Sequence, residues 1–148
     1  MSNPASGIGA SSSFSGMPRS ELEAIIKDTP FAVLLGARLE AYGDGHAALS
    51  VALRPDLKMH LDFAHGAVIG FLADSACAWA AASVVGNVVT AEYKLNLIAP
   101  GVGDQLRAEG RVLKAAGRNV VCQAEVYAFP DGKPSLVAVA LATISRFK

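Results

Sequence analysis

Asp74 is the only charged side chain between His65 and Glu92. The residues around it are alanine, leucine, isoleucine, valine, phenylalanine, tryptophan and other small residues. A segment that is apolar on nearly all sides predicts a helix inside the fold, where a carboxylate is costly unless it is paired or used. A carboxylate can attack an acyl carbon or activate a water molecule, and both roles require its ionised form. Asp74 is therefore the first candidate catalytic residue, with nucleophile and general base both open.

A second chemical feature is the start of the same helix. The first turn of a helix presents unpaired N–H groups and the positive end of its dipole, and Gly66 would let a carbonyl oxygen approach closely. The alternative is that Gly66 only begins a tightly packed helix. Asp74 follows eight residues later, about 12 Å along the axis. One carbonyl cannot touch both groups of one chain, so a shared function predicts a symmetric dimer with two shared sites.

The elements that must position these groups follow from hydrophobic periodicity. Alternation over residues 90–97 places Thr90 on the face of Glu92, and residues 136–144 are apolar on both faces, as in a central strand. The pattern predicts an α+β fold in which an antiparallel sheet wraps around one long buried helix. The predicted elements are a short helix opened by Pro18 and stopped by Pro30, a hairpin of residues 35–42 and 46–53, a buried helix over residues 66–84, and strands over residues 90–97, 104–113, 119–129 and 136–144.

Length and composition indicate one soluble domain. The chain has 148 residues, with 13 Lys and Arg balanced by 13 Asp and Glu, which favours neither nucleic acid nor a charged tail as a partner. Residues 1–17 predict a disordered N-terminal tail and residues 18–148 the folded domain. A membrane span over residues 66–91 is disfavoured by Asp74 and by interrupting glycines. The two cysteines lack the spacing of metal ligands and are expected to be buried thiols in a reducing compartment. The scattered histidines predict no metal site. The N-terminus does not resemble a signal peptide, which predicts a cytoplasmic location.

Three segments together carry a resemblance to a known family. His65-Gly66, then Leu72-Ala73-Asp74, then Thr90 to Asn96 (TAEYKLN) before Pro100 resemble the hotdog-fold acyl-CoA thioesterases of the phenylacetate-degradation (PaaI-like) type. The match covers roughly residues 30 to 147. It implies a hotdog fold, a homodimer that often pairs into a tetramer, and hydrolysis of an acyl-CoA without a metal or redox cofactor.

The resemblance also assigns roles to single residues. It implies Asp74, Gly66, His65 and Thr90 as site residues, with Thr90 helping to hold the attacking water; an ordinary β-branched strand residue is the alternative for Thr90. The ring nitrogens of His65 are expected to fix the loop before the helix rather than to act as a base. Around the substrate it points to Met59, His60, Ala67 and Arg118. Two of these depart from the family pattern: Ala67 replaces a second glycine, and Met59 replaces an asparagine or glutamine unless His60 serves through a one-residue shift.

Two other functions remain open at this stage. A hotdog dehydratase would need a histidine for proton transfer at the acyl chain, and the predicted helix has no histidine after its first turn. A non-catalytic acyl-CoA-binding protein would retain the fold but would not need Asp74. The sequence leaves open the acyl group, which could be aromatic, short-chain or medium-chain, and the packing mode of a tetramer.

Overall fold

The computed structural model describes residues 17–147. Six antiparallel strands form one sheet in the order β1-β2-β4-β5-β6-β3, and one long helix, α3, lies against it. The elements are α1 (Arg19–Lys27), α2 (Pro30–Leu34), β1 (Arg38–Gly43), β2 (His46–Ala52), α3 (Gly66–Val85), β3 (Val88–Leu97), β4 (Gln105–Ala116), β5 (Asn119–Ala128) and β6 (Ser135–Arg146). This architecture is the hotdog fold, which confirms the predicted fold class.

The sequence pattern fixes where α3 begins and ends. His65 is its N-cap, and Gly86 closes it with a φ of 83°, a left-handed conformation that glycine adopts without strain. By length and composition alone α3 could cross a membrane, as can core helices of soluble proteins. Here its buried residues pack on one face of the sheet.

Close packing of α3 on the sheet depends on one glycine of β4. A Cβ atom built on Gly110 would lie 2.3 Å from the carbonyl oxygen of Ala76 on α3. Only a residue without a side chain allows this approach of helix backbone to strand. The contact sets the depth at which α3, and with it Asp74, is held against the sheet.

The structure differs from the sequence prediction in the cover of α3. The sheet covers one side of the helix only, and a stripe through Ala67, Phe71, Ser75, Ala78 and Ala82 is exposed or half-buried in the single chain. Asp74 is therefore half-buried: the long central helix is buried as predicted, but in one chain the sheet leaves this stripe uncovered. Most residues of this stripe are apolar, so the sequence of α3 looks like that of a helix covered on every side.

The N-terminal region also has one more helix than predicted. Pro30 ends the first helix as expected, but it also occupies the first position of α2, where its missing N–H is not needed. The predicted tail, residues 1–17, lies outside the described residues apart from Met17, which packs against the core.

Candidate active site

One backbone amide at the start of α3 has no partner. Ala67 N donates to His65 Nδ1 at 3.0 Å, and Val68 N and Ile69 N both donate to the His65 carbonyl. Among residues 17–147 no group accepts a hydrogen bond from Gly66 N. The cap thus satisfies the other amides of the first turn and leaves the Gly66 N–H free at the positive end of the helix dipole.

Gly66, whose amide is free, lies in the wall of an apolar cavity. The cavity has a volume of about 370 Å³, is open to solvent and includes Gly66 and Met59 in its wall. The other lining residues come from the loop before α3, from α3 itself and from the end of β3 onward: Phe63, Ala64, Ile69, Leu97, Ile98, Ala99, Pro100 and Gly101. No charged side chain lines it, so Gly66 N is the donor in the cavity wall that could stabilise an anion formed there.

Asp74 is held by a strong hydrogen bond from the neighbouring strand. Thr90 Oγ1 donates to Asp74 Oδ1 at 2.6 Å, the short distance typical of a hydroxyl bound to a carboxylate. Both side chains are half-buried. The bond fixes one carboxylate oxygen and leaves the other available to a water molecule or an acyl carbon.

A β-bulge gives Thr90 this position. In the pairing of β3 with β6, Glu92 lies opposite Thr143 while Thr90 lies opposite Ile144, so one residue of β3, Ala91, is extra. The extra residue places Thr90 and Glu92 on opposite faces of the sheet. Strict alternation had predicted that they share a face, and that prediction is wrong because sequence periodicity does not reveal a bulge.

Strand β3 runs antiparallel to α3 along one face of the helix. A Cβ atom on Gly66 would lie 3.3 Å from Leu97 Cδ1, one on Gly70 would lie 3.6 Å from Leu95 Cδ2, and Asp74 contacts Thr90. The cavity amide and the carboxylate therefore lie at separate places on the helix, about 12 Å apart along its axis. A single chain presents two half-sites.

The remaining predicted substrate residues are not brought together in one chain. His60 is exposed on the loop before α3 and is not part of the cavity wall, while Ala67 is exposed beside Gly66. Arg118 lies at the other end of α3, because its carbonyl accepts from Arg146 N and Arg146 pairs with Val88 at the start of β3.

Other titratable side chains play different parts. Arg107, one of the basic residues of β4, is buried on the face of the sheet opposite α3 and forms an ion pair with Glu109 at 2.9 Å. Burial raises the pKa of Glu109, an effect that the nearby Arg107 guanidinium opposes. Cys122 is a buried free thiol whose pKa burial raises to about 11. Among the described residues no cluster of His, Cys, Asp and Glu could hold a metal ion.

The sequence did not identify most of the cavity wall. Residues 98–101 follow β3 as a loop, and their apolar character resembles that of any core segment. The one signal was Pro100, which ends the family-like motif after β3. The glycine itself indicated a possible oxyanion donor. The His65 cap, which satisfies the other amides of the first turn and leaves Gly66 N free, depends on side-chain geometry.

Comparison with known proteins places this geometry in a family. The sequence pattern of the thioesterase superfamily matches residues 61–135. A thioesterase family protein from Silicibacter pomeroyi is 28% identical, with a TM-score of 0.80 and an alignment covering 85% of this chain and 95% of that one. A mutant of the phenylacetic acid degradation protein PaaI from Thermus thermophilus is 27% identical, with a TM-score of 0.72 and coverage of 80% and 99%.

A more distant structure shares the fold. The E. coli PaaI protein from the phenylacetic acid degradation operon is 22% identical, with a TM-score of 0.76 and coverage of 85% of this chain and 90% of that one. A search among curated proteins found no match.

Proposed function

The chain belongs to the thioesterase superfamily, and we propose that it is an acyl-CoA thioesterase that hydrolyses its substrate to a free acid and CoA. The observation that carries the proposal is the single free amide of Gly66 in an apolar cavity, together with a carboxylate, Asp74, that is oriented by Thr90. Thioester hydrolysis needs both a donor for the developing oxyanion and a carboxylate that attacks or activates water.

The two half-sites come together when two copies of the chain pair. β3 is an edge strand of the sheet, with several exposed apolar side chains, among them Val89, Tyr93 and Leu97. A long apolar edge strand is a ready surface for pairing with another strand. In this proposal β3 of one copy pairs antiparallel with β3 of a second, which gives a homodimer with two equivalent sites.

One register of this pairing joins the two half-sites. When the two-fold axis passes at Lys94, Glu92 lies opposite Asn96 of the second copy on one face of the sheet. On the other face Leu97 lies opposite Thr90 of the second copy, with Cβ atoms about 5 Å apart. Because Leu97 contacts Gly66 in its own chain and Thr90 bonds to Asp74, this register brings the amide of one copy toward the carboxylate of the other.

The register also gives Arg118 a role. From Thr90 toward its start at Val88, β3 of the second copy extends past Leu97 of the first copy toward the first copy's loop of residues 98–101. The far end of the second copy's α3, with that copy's Arg118 and Arg146, therefore lies beyond the mouth of the first copy's cavity. Both arginines are exposed. The cavity then takes the pantetheine arm, the thioester lies at the Gly66 amide, and the two arginines bind the phosphates of CoA.

The first experiment is the release of free CoA thiol from phenylacetyl-, benzoyl-, short-chain and medium-chain acyl-CoAs, with Asp74→Asn measured in parallel. We expect the wild type to turn over at least one ester and the variant to lose this turnover, because an asparagine side chain cannot serve as nucleophile or base. Wild-type rates in Asp74→Asn would remove this carboxylate from the mechanism.

The shared site has a separate test. Gly66→Pro removes the amide hydrogen and Asp74→Asn removes the carboxylate, and each variant alone should be inactive. In a mixed dimer one of the two sites has both native groups, so random pairing of equal amounts should restore about a quarter of the wild-type activity. A mixture that stays inactive although heterodimers form would contradict a site built from two chains.

The second candidate function is a binding protein that retains the fold but lacks hydrolysis. Met59 favours it, because a thioether lines the cavity and cannot donate a hydrogen bond to a thioester carbonyl. The thiol-release assay separates the two functions. A binding protein would bind acyl-CoA, but neither the wild type nor Asp74→Asn would release thiol from it.

A further inference from the structure

The buried floor of the cavity lies where two loops meet. Among the lining residues Ala64, Ile69 and Gly101 are buried, whereas Leu97 and Ile98 are exposed. Ala64 belongs to the loop before α3, and Gly101 belongs to the loop that follows β3. The cavity therefore lies between two loops, and the place at which they touch sets the distance between its walls.

These loops touch through one glycine and one alanine. Ala64 N donates to the Gly101 carbonyl oxygen at 2.9 Å. A Cβ atom built on Gly101 would lie 2.9 Å from Ala64 Cβ and 3.3 Å from Leu106 Cδ2. Carbon atoms that are not bonded pack at about 3.5–4.0 Å, so even a methyl group at position 101 would force the loops about 0.6–1.1 Å apart. The backbone of Gly101 does not have a positive φ, so only this close approach excludes a side chain there.

The contact fixes the spacing of the loops because each loop is also held elsewhere. In the loop before α3, His65 N donates to the Leu57 carbonyl oxygen at 2.9 Å. In the loop after β3, Ile98 N and Ala99 N both donate to the Val137 carbonyl oxygen, at 2.8 and 3.3 Å. Neither loop can move as a whole to relieve a clash, so a larger residue at the contact would change the shape of the cavity itself.

The contact also lies close to the proposed oxyanion donor, because Ala64 is only two residues before Gly66. A substrate arm in the cavity would pass between Gly66 and the loop that follows β3. A change in the spacing of the loops would therefore move the thioester relative to Gly66 N. A misplacement of about 1 Å can cost about a hundredfold in rate.

We infer that Gly101 is a positioning residue for the hydrolysis: its lack of a side chain lets the two loops meet at Ala64 and sets the width of the cavity that holds the substrate arm. This inference rests on the proposed thioesterase function. It adds a residue that contacts neither the Gly66 amide nor the Asp74 carboxylate and acts through the spacing of the two loops.

The test adds a methyl group at position 101 and then removes the one that it meets. Gly101→Ala should raise KM for the acyl-CoA that the wild type prefers and lower kcat/KM about ten- to a hundredfold. Ala64→Gly is the matched variant, and combined with Gly101→Ala it should return KM to within about threefold of Ala64→Gly alone. KM is the deciding measurement because it does not depend on how much of the enzyme is folded, whereas a loss of stability alone would lower only the apparent kcat.

A second variant adds bulk from the other loop and decides the question if Gly101→Ala does not fold. In Ala64→Ser the added oxygen can rotate away from the closest contact, so KM should rise by a smaller factor than in Gly101→Ala. A folded Gly101→Ala with the wild-type KM, or a raised KM that Ala64→Gly does not restore, would overturn the inference while leaving the thioesterase intact. A wild-type KM in Ala64→Ser would do the same where Gly101→Ala does not fold. No turnover of any ester by the wild type would instead overturn the proposed function, and this inference with it.

Discussion

The sharpest prediction concerns the backbone of one residue, Gly66. The proposed oxyanion donor is an N–H group, which most substitutions retain, but proline has none. Gly66 is the first residue of α3, the helical position that accepts proline best. The preceding residue, His65, has φ −64° and ψ 136°, the extended conformation that proline requires of its predecessor. Gly66→Pro should therefore remove the amide hydrogen without breaking the helix.

The magnitude follows from the geometry of the first turn. The other amides of that turn are satisfied by His65, so no second free donor replaces Gly66 N. Loss of one oxyanion donor typically lowers kcat by about a hundred- to a thousandfold. Gly66→Ala is the matched control, because its Cβ meets the same Leu97 Cδ1 atom at 3.3 Å and its N–H remains.

The assay is steady-state release of CoA thiol by the wild type and the two variants, with circular dichroism and oligomeric state measured on the same samples. We expect Gly66→Pro to lose most of kcat and Gly66→Ala to retain it to within about tenfold. Equal losses in the two variants would attribute the effect to the side chain at this position. A folded Gly66→Pro with wild-type kcat would refute the role of the amide.

Three other predictions concern Thr90, Gly110 and Cys122. Thr90→Val should lower kcat by about ten- to a hundredfold, because it removes the hydrogen bond to Asp74, whereas Thr90→Ser should stay closer to the wild type; equal rates in both would contradict a positioning role. Gly110→Ala places a Cβ 2.3 Å from the Ala76 oxygen. It should reduce the free energy of unfolding, measured by urea titration at fixed protein concentration, by about 1–3 kcal/mol or more. Burial raises the pKa of Cys122 from 9.0 to about 11, so the folded state holds this proton more tightly than the unfolded state. Its contribution to stability should be complete below pH 9.0 and be lost as the pH rises toward 11, and the thiol should react with a disulfide reagent at pH 8 only after unfolding.

The sequence was sufficient for the features that depend on local pattern. The bounds of α3, the order of the strands along the chain and the interior place of β6 in the sheet follow from hydrophobic periods and from glycines at helix ends. The proximity of Asp74 and Thr90 was expected only from the family resemblance. It could not be derived from alternation, because the bulge at Ala91 reverses the face of Thr90.

Other features depend on contacts between distant segments and leave no sequence period. The approach of Gly110 to Ala76 joins residues that are 34 positions apart, and nothing in the pattern of β4 distinguishes this glycine from a bulge or a turn. Gly66 N is the free amide of the first turn only because the ring of His65 turns back and accepts a hydrogen bond from Ala67 N. Such contacts become visible only in three dimensions.

The arrangement of β3 explains why one strand carries so much of the site. It is the edge at which a second copy can pair, it supplies Thr90 to Asp74, and it places Leu97 against Gly66. A shift of two residues in the pairing register would move Leu97 away from Thr90 of the second copy and separate the amide from the carboxylate by about 7 Å more. The bulge at Ala91 aims Thr90 at the helix, and the register that sets Leu97 opposite Thr90 of the second copy is therefore the catalytic one in this proposal.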